Sequence, residues 1–471
     1  MLNAKFWRWA SLAMLAALLL YHCASFAHFA ATAVLFPGEL TYTEGGIWNQ
    51  AQLMQGARMY GPINTPPYVV FEYPPFYHAL IKLAALYFGP FLTAGRMVSC
   101  LSLLVAAGAV GCISNGLIRP FAGKLEAATG AIMAALLVPT MVPVFFSAVV
   151  VTVDITGVAL SLSGLALGIL ALRRPRLLYA AAFLCAAAVY TKQTNLAAPA
   201  ALFVVFGLSD WRFALRAFAP AGIAGVAVAA WFTRETHGGF FQHILIYNMN
   251  PYSLHMLLGV VASVAKVAVI PLVAAILGAG LWFPLAGQAW QGGASLCHRS
   301  DPQSAMAAIM AAYSCLAIAL SLLSGKTGAE VSYFDETLCL ACIWCGVAIV
   351  AFSARGALFQ ADQLLFGVKA ASVAPVLATM VPLLMCLHVA ANLPRLAAAE
   401  EALSDPRRLA AQAALVTLVK SSQQAVVTDD LALPLLAGRA PLIEPFIFTQ
   451  LIKSGQWESG LFLPCWAIPV R

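Results

Sequence analysis

Charge is what this sequence has least of. Only 10% of its 471 residues are Asp, Glu, Lys or Arg, against about a quarter in ordinary soluble domains. That scarcity, beside 62% hydrophobic residues, excludes a soluble globular enzyme and a disordered or acidic interaction protein, and identifies a polytopic membrane protein. The net charge of +7 is carried by short basic clusters between apolar runs, not by a continuous basic face, so nucleic acid is excluded as partner. Heptads and internal repeats are also missing, which removes coiled coils and repeat arrays. The 11 cysteines lack a ligand pattern. Cys100, Cys185 and Cys315 lie within apolar runs, where Cys packs as a small hydrophobe. Cys339, Cys342 and Cys345 share one helix face with no interleaved His or carboxylate, and are read as helix packing.

Apolar runs long enough to cross a bilayer at about 20 residues each fall near 9–35, 92–116, 127–149, 155–172, 177–191, 195–208, 217–233, 257–284, 304–323, 335–353 and 370–392. This predicts an all-α protein of about eleven spans. Lys5 and Arg8 precede the first run, which continues to Phe36. It exceeds the roughly 7–15-residue core of a signal peptide and is read as an uncleaved first helix. With a cytoplasmic N-terminus, the inner loops hold Arg119, Lys124, Arg173, Arg174, Arg176, Arg212, Arg216, Arg299, Arg355 and Lys369, and the outer loops far fewer. The positive-inside rule selects this orientation. The transmembrane domain is then 1–394, with a first outer loop over 37–91. Residues 395–471 form a small outer α/β domain with an amphipathic helix and a short strand in AVVTD. Asp429 and Asp430 there read as a turn.

Once the topology is set, the unusual polar residues gather on one side. Glu44, Glu72, Asp154, Lys192, His237, Asn248, Lys326, Glu330, Tyr333 and Asp335 all fall at outer helix ends or in outer loops. Asp154 interrupts an otherwise uncharged run from Ala127 to Leu172. A carboxylate at a bilayer centre costs about 2.5 kcal/mol or more, so Asp154 is placed at an outer turn. Glu44 opens an amphipathic segment with Ile47, Trp48, Leu53 and Met54, read as a helix on the bilayer surface. A negative charge at a helix start is also favourable by about 0.3–1 kcal/mol without any further role. In FEYPPFYHAL the two prolines force an extended approach to a helix, holding Glu72 and Tyr73 at the membrane mouth. The helix over 74–89 lies at the interface with His78 and Lys82 on one face. In VYTKQTNLAAPAAL, Lys192, Gln193 and Asn195 cluster between apolar runs, as expected where an anionic phosphate is held. SGKTGAEVSYFDETL packs Lys326, Glu330, Tyr333 and further acids into one outer turn.

The ordered series YTEGG, FEYPPFY, GRMVSCLSLL, VTVDITGVALSL, VYTKQTNLAAPAAL and GKTGAEVSYFDETL, over about residues 35–350, resembles bacterial members of the C-type (GT-C) glycosyltransferase fold. This fold includes the lipid A aminoarabinose transferases and protein O-mannosyltransferases. The tail PLIEPFIFTQLIKSGQW is similar to tails of related membrane glycosyltransferases. The resemblance implies a multi-pass enzyme of the bacterial inner membrane. It would transfer a hexose or pentose from a polyprenyl-phosphate donor to a glycolipid, glycan or protein acceptor at the outer face. Glu44 and Asp154 would match the family's catalytic acids, and Lys192 and Lys326 its phosphate-binding cations, with Glu72, Tyr73, Gln193 and Tyr333 at the substrate. Some relatives bind a divalent metal, for which His237 or His243 would be the ligands; no metal site is assigned. There are two departures: Thr43 stands where an acid often precedes the loop glutamate, and Tyr73 replaces the lysine of aminoarabinose transferases, which argues against that donor. The chemistry suits these residues, since the acceptor hydroxyl needs a base and the leaving phosphate needs cations. The alternative class is a secondary transporter or lipid-linked sugar flippase. Such proteins place ionisable groups near the midplane of broken helices in inverted repeats, whereas these charges sit at one face. A non-enzymatic scaffold would leave the outer carboxylates unexplained.

Overall fold

The computed structural model describes residues 2–54, 58–291, 302–351, 364–365 and 368–458. Arg299, Arg355 and the last part of the tail, 459–471, lie outside the described residues. The chain is all-α. In order come α1 (Leu2–Leu35), α2 (Tyr42–Leu53), α3 (Phe76–Phe88), α4 (Phe91–Ile118), α5 (Lys124–Leu137), α6 (Val142–Ser147), α7 (Val153–Ala171), α8 (Leu177–Thr191), α9 (Ala197–Glu235) and α10 (Gly239–Phe241). They are followed by α11 (Leu254–Gln291), α12 (Pro302–Ser321), α13 (Asp335–Ala351), α14 (Ala370–Ser404), α15 (Pro406–Ser421), α16 (Ala432–Leu436) and α17 (Pro445–Lys453). Among the described residues the only strands are β1 (Leu364–Leu365) and β2 (Val368–Lys369), a minimal antiparallel pair.

Among the described residues, eight helices are long and apolar enough to cross a membrane, so the protein is a multi-pass membrane protein. α13 and α7 are the most enclosed of these, while α9 and α11 present most of their surface outward. α13 is apolar all round and packs on α4, α5 and α11, as expected of a helix surrounded by others. Its three cysteines are buried and form no disulfide among the described residues. The Cys345 thiol donates to the Pro271 carbonyl at 3.2 Å, which fits the packing role read from their spacing.

The other predicted spans take irregular forms. The segment 127–149 is α5, a single 3-10 turn and the short α6, broken where Pro139 and Pro143 remove backbone donors. α8 is apolar but has only 15 residues. α9 leaves helical geometry at Asp210 (φ −157°, ψ 88°). Ring contacts join Phe206 to Phe213 at 6.4 Å and Phe203 to Phe218 at 5.5 Å. These residues are placed symmetrically about Asp210, so the chain folds back there, and the predicted segments 195–208 and 217–233 are the two arms of a hairpin.

The tail departs from its predicted form. α14 runs unbroken through residue 395, and no strand forms over 425–429. That segment has the β-branched composition of a strand but pairs with no other segment among the described residues. The tail packs instead against the loop over 37–91. Tyr68 and Ile443 form a parallel bridge, with Tyr68 N–H donating to Leu442 O at 2.9 Å and Glu444 N–H to Tyr68 O at 3.2 Å. Ile63, Tyr68 and Val70 share an apolar cluster with Ile443, Ile447, Phe448, Leu451 and Trp457.

Candidate active site

A cavity of about 470 Å³ opens where the loop over 37–91, the tail and the ends of α7 and α8 meet. Its polar wall includes Glu72, Tyr73, Asp154, Lys192, Gln193, Asn248, Lys326, Glu330, Tyr333 and Glu444, and its apolar wall includes Phe29, Phe146, Val149, Ala399 and Leu403. Seven of the eight residues singled out from sequence therefore meet there, from stretches up to 261 positions apart (Glu72 to Tyr333).

Asp154 sits in the first turn of α7, where its charge faces the helix's positive end. Thr152, the extended N-cap, donates its hydroxyl to Asp154 Oδ2 and accepts from the Asp154 N–H at 3.4 Å. The segment leading into α7 is held by Ser99 Oγ donating to Val150 O at 2.7 Å. Lys192 ends α8 in extended geometry (φ −146°, ψ 122°). Its Nζ lies 2.5 Å from Asp154 Oδ1 and 3.9 Å from the centroid of the Tyr333 ring, a cation–π contact. Burial acts to lower the Lys192 pKa, but the Asp154 charge and Tyr333 outweigh it and hold the ammonium above its ordinary value.

A second set fixes the opposite wall. Gln193 Nε2 and Asn248 Nδ2 each donate to the Glu72 carbonyl at 3.1 Å, and Tyr60 OH donates to the Tyr73 carbonyl at 2.9 Å. Glu72 and Tyr73 lie before the start of α3 at Phe76, so their carbonyls have no helical partners, and the side chains supply them. Lys326 Nζ donates to Asn248 O at 3.1 Å and Asn248 Oδ1 at 2.7 Å. The Glu72 carboxyl is raised to about 7 by burial, against the opposing pull of Lys326.

Glu44, expected from sequence as a catalytic acid, does not line this cavity, although its neighbours Thr43 and Gly46 do. It is fully buried and accepts from Arg96 Nε at 2.8 Å, Arg96 Nη2 at 2.7 Å, Leu40 N–H at 2.6 Å and Val151 N–H at 2.7 Å. Arg96 spends its remaining donors on the carbonyls of Ala33, Phe36 and Gly38. Four donors and the enclosing α1–α2 junction give this carboxylate a structural role, tying α4 and the segment before α7 to the 37–91 loop. His78 is likewise buried, bonded to Gln50 Oε1 at 2.9 Å, and burial lowers it to about 4. It does not share an exposed face with Lys82.

The candidate metal ligands are also placed. His243 Nδ1 accepts from Phe71 N–H at 2.9 Å and its Nε2 donates to Gly61 O at 2.7 Å, so both ring nitrogens are engaged. His237 is exposed at the turn after α9. Among the described residues no three His, Cys, Asp or Glu side chains group as a metal-ligand set. Two residues were missed by sequence reasoning. Glu444 reaches the cavity from the tail through the Tyr68 bridge, which no local pattern announces. Glu336, behind Lys192, accepts from Ser161 Oγ at 2.6 Å and Tyr313 OH at 3.1 Å; its signal was an acid at the start of an apolar run.

This architecture is that of the GT-C glycosyltransferase fold. The crystal structure of ArnT from Cupriavidus metallidurans bound to undecaprenyl phosphate superposes with a TM-score of 0.53 at 16% identity, covering 93% of this chain and 88% of that one. The apo form of the same protein gives 0.50 at 17% identity, with the same coverage. The oligosaccharyltransferase of Archaeoglobus fulgidus aligns at 0.45 and 14% identity over 91% of this chain and 64% of that one. No protein-family model matches the sequence, and no curated protein matches it.

Proposed function

We propose that this protein is a membrane glycosyltransferase that moves a sugar from a polyprenyl-phosphate donor to a glycolipid, glycan or protein acceptor. The observation that carries the reading is the cavity itself. It joins the Asp154–Lys192 ion pair and the Lys326 ammonium to an apolar wall of Phe29, Phe146, Ala399 and Leu403, so a charged head and a hydrocarbon chain have adjoining berths. The bound undecaprenyl phosphate of the structurally similar ArnT supports the same donor class here.

In this reading the acceptor hydroxyl oxygen bonds to the anomeric carbon as the bond from that carbon to the phosphate oxygen breaks. Asp154 takes the hydroxyl proton, a contribution of roughly 10²–10⁴ in rate. The electron pair leaves on the polyprenyl phosphate, whose charge is met by Lys326 and by the Lys192 hydrogens not used on Asp154. Gln193 and Tyr333 frame the phosphate, and Glu72 and Tyr73 the sugar. With the eleven-span topology expected from sequence, the cavity faces the outer side of the bacterial inner membrane, and the tail lies on the same side. A reporter active only in the cytoplasm and fused at the C-terminus stays silent in this arrangement; activity there overturns it. The enzymatic test uses the purified protein in lipid nanodiscs with a radiolabelled polyprenyl-phosphate sugar and a crude envelope acceptor fraction. Transfer releases free polyprenyl phosphate. A flippase moves the lipid between leaflets with the sugar–phosphate bond intact, and that result would sink the proposal.

A further inference from the structure

The tail supplies more than a cover. Residues 441–446 reach the cavity, which Glu444 and Phe446 line, and are pinned at their middle by the Tyr68–Ile443 bridge. Glu444 and Phe446 both line the cavity, as do Glu72 and Tyr42 from the first loop. Phe446 packs on Tyr42 with ring centroids 6.0 Å apart. It also lies against Gly328, where an added Cβ would stand 2.5 Å from the ring. The start of α2 and the turn at Gly328 therefore both meet this ring at the start of α17. The Glu444 Oε1 atom lies against Gly46, while Oε2 is enclosed and has no hydrogen-bond partner among the described residues. Glu444 as a residue is only half-buried and lines the cavity, which brings its carboxyl group within reach of a ligand's donor.

We propose that Glu444 and Phe446, with Glu72 and Tyr42, form a carbohydrate subsite in which the tail holds the sugar ring while the lysines hold the phosphate. The inference rests on the glycosyltransferase reading and adds to it the residues that recognise the sugar. Two facing carboxyl groups suit the hydroxyls of a sugar ring, because each offers acceptor oxygens to O–H donors. The Tyr42 and Phe446 faces suit the apolar C–H face of the ring. Burial and the neighbouring Glu72 charge raise Glu444 well above the usual carboxylate range, so it can also donate a proton to a sugar oxygen. The tail then belongs to the binding site, and a chain cut before 441 would keep the phosphate berth and lose sugar discrimination.

The test compares binding of undecaprenyl phosphate alone with undecaprenyl phosphate carrying glucose, mannose, galactose or arabinose, in nanodiscs. Wild type is expected to bind at least one sugar-bearing lipid more tightly than the bare lipid. Glu444→Gln should weaken that lipid by roughly tenfold or more, the scale of one strong hydrogen bond, and leave the bare lipid unchanged. Phe446→Leu keeps most of the packing volume and should show the same selective loss, which carries the test if Glu444→Gln does not fold. Equal weakening of both lipids, or no weakening of either, overturns the subsite. Wild-type binding of the bare lipid with no preference for any sugar overturns the subsite and leaves the lipid-phosphate reading standing. Failure to bind any of these lipids brings down the function proposed above and the subsite with it.

Discussion

Glu44–Arg96 and Asp154–Lys192 are both ion pairs enclosed by protein, yet they differ in what is left over. In the first, four donors fill the carboxylate and every guanidinium N–H has an acceptor. In the second, Lys192 keeps hydrogens toward a cavity, and Asp154 is bonded by Thr152 and Lys192 beside that same space. Burial and charge alone do not distinguish a structural acid from one available for chemistry; unspent valence beside an opening does. The closed pair still bears on the open one. Through Val151 N–H, Glu44 fixes the segment from which Thr152 and Asp154 project.

The contrast can be broken most forcefully at Arg96. Arg96→Met strands a buried carboxylate, a loss of about 3–5 kcal/mol, and should lower the unfolding midpoint in nanodiscs more than substitution of Glu44, Asp154 or Glu72 by its amide. Glu44→Gln keeps the shape and should also lower the midpoint, while the molecules that remain folded retain most of their turnover. Asp154→Asn is the mirror case. It should reduce sugar transfer about a hundredfold or more with little change in the midpoint. A stability loss at Asp154 matching that at Glu44, or a hundredfold turnover loss in folded Glu44→Gln, would erase the distinction between the pairs.

A smaller effect comes from Glu72. Its carboxyl titrates at about 7 in the folded protein against about 4.3 unfolded, so the folded state holds more protons between those values. Its stabilising contribution is complete below about 4.3 and disappears as pH rises through 7. The unfolding midpoint of wild type should fall between pH 5 and pH 8 more steeply than that of Glu72→Gln. His78 and His243, both lowered by burial to about 4 against about 6.5 unfolded, add a slope of the opposite sign below about pH 6.5, but it is common to both proteins and leaves the difference between the two curves to Glu72. Parallel curves for the two proteins would show that Glu72 is already ionised at pH 5.

The cavity was legible because its charges are rare. Asp154, Lys192 and Lys326 each interrupt apolar sequence, and a membrane protein can place such groups only at an interface or in an enclosed wet site. Glu44 looked the same by that criterion. What separates it is Arg96, 52 positions away, whose guanidinium reads in sequence as one more outer-loop cation. Glu444 was hidden for the opposite reason: it lies in an ordinary polar tail, and only a bridge between distant segments brings it inward. The Asp210 reversal was legible as a gap between two apolar runs. The missing strand at 425–429 shows that β-branched composition forms a sheet only where a partner edge exists.

The contact between Glu39 and Ala432 ties together residues 393 positions apart. At roughly 5–20 residues per second of synthesis, the first loop leaves the ribosome roughly 20–80 s before the tail that covers it. For that interval the Tyr68 edge and the apolar cluster around it have no chain to rest on. The newborn protein is therefore an open vessel until the tail is made, and the tail is what seals it.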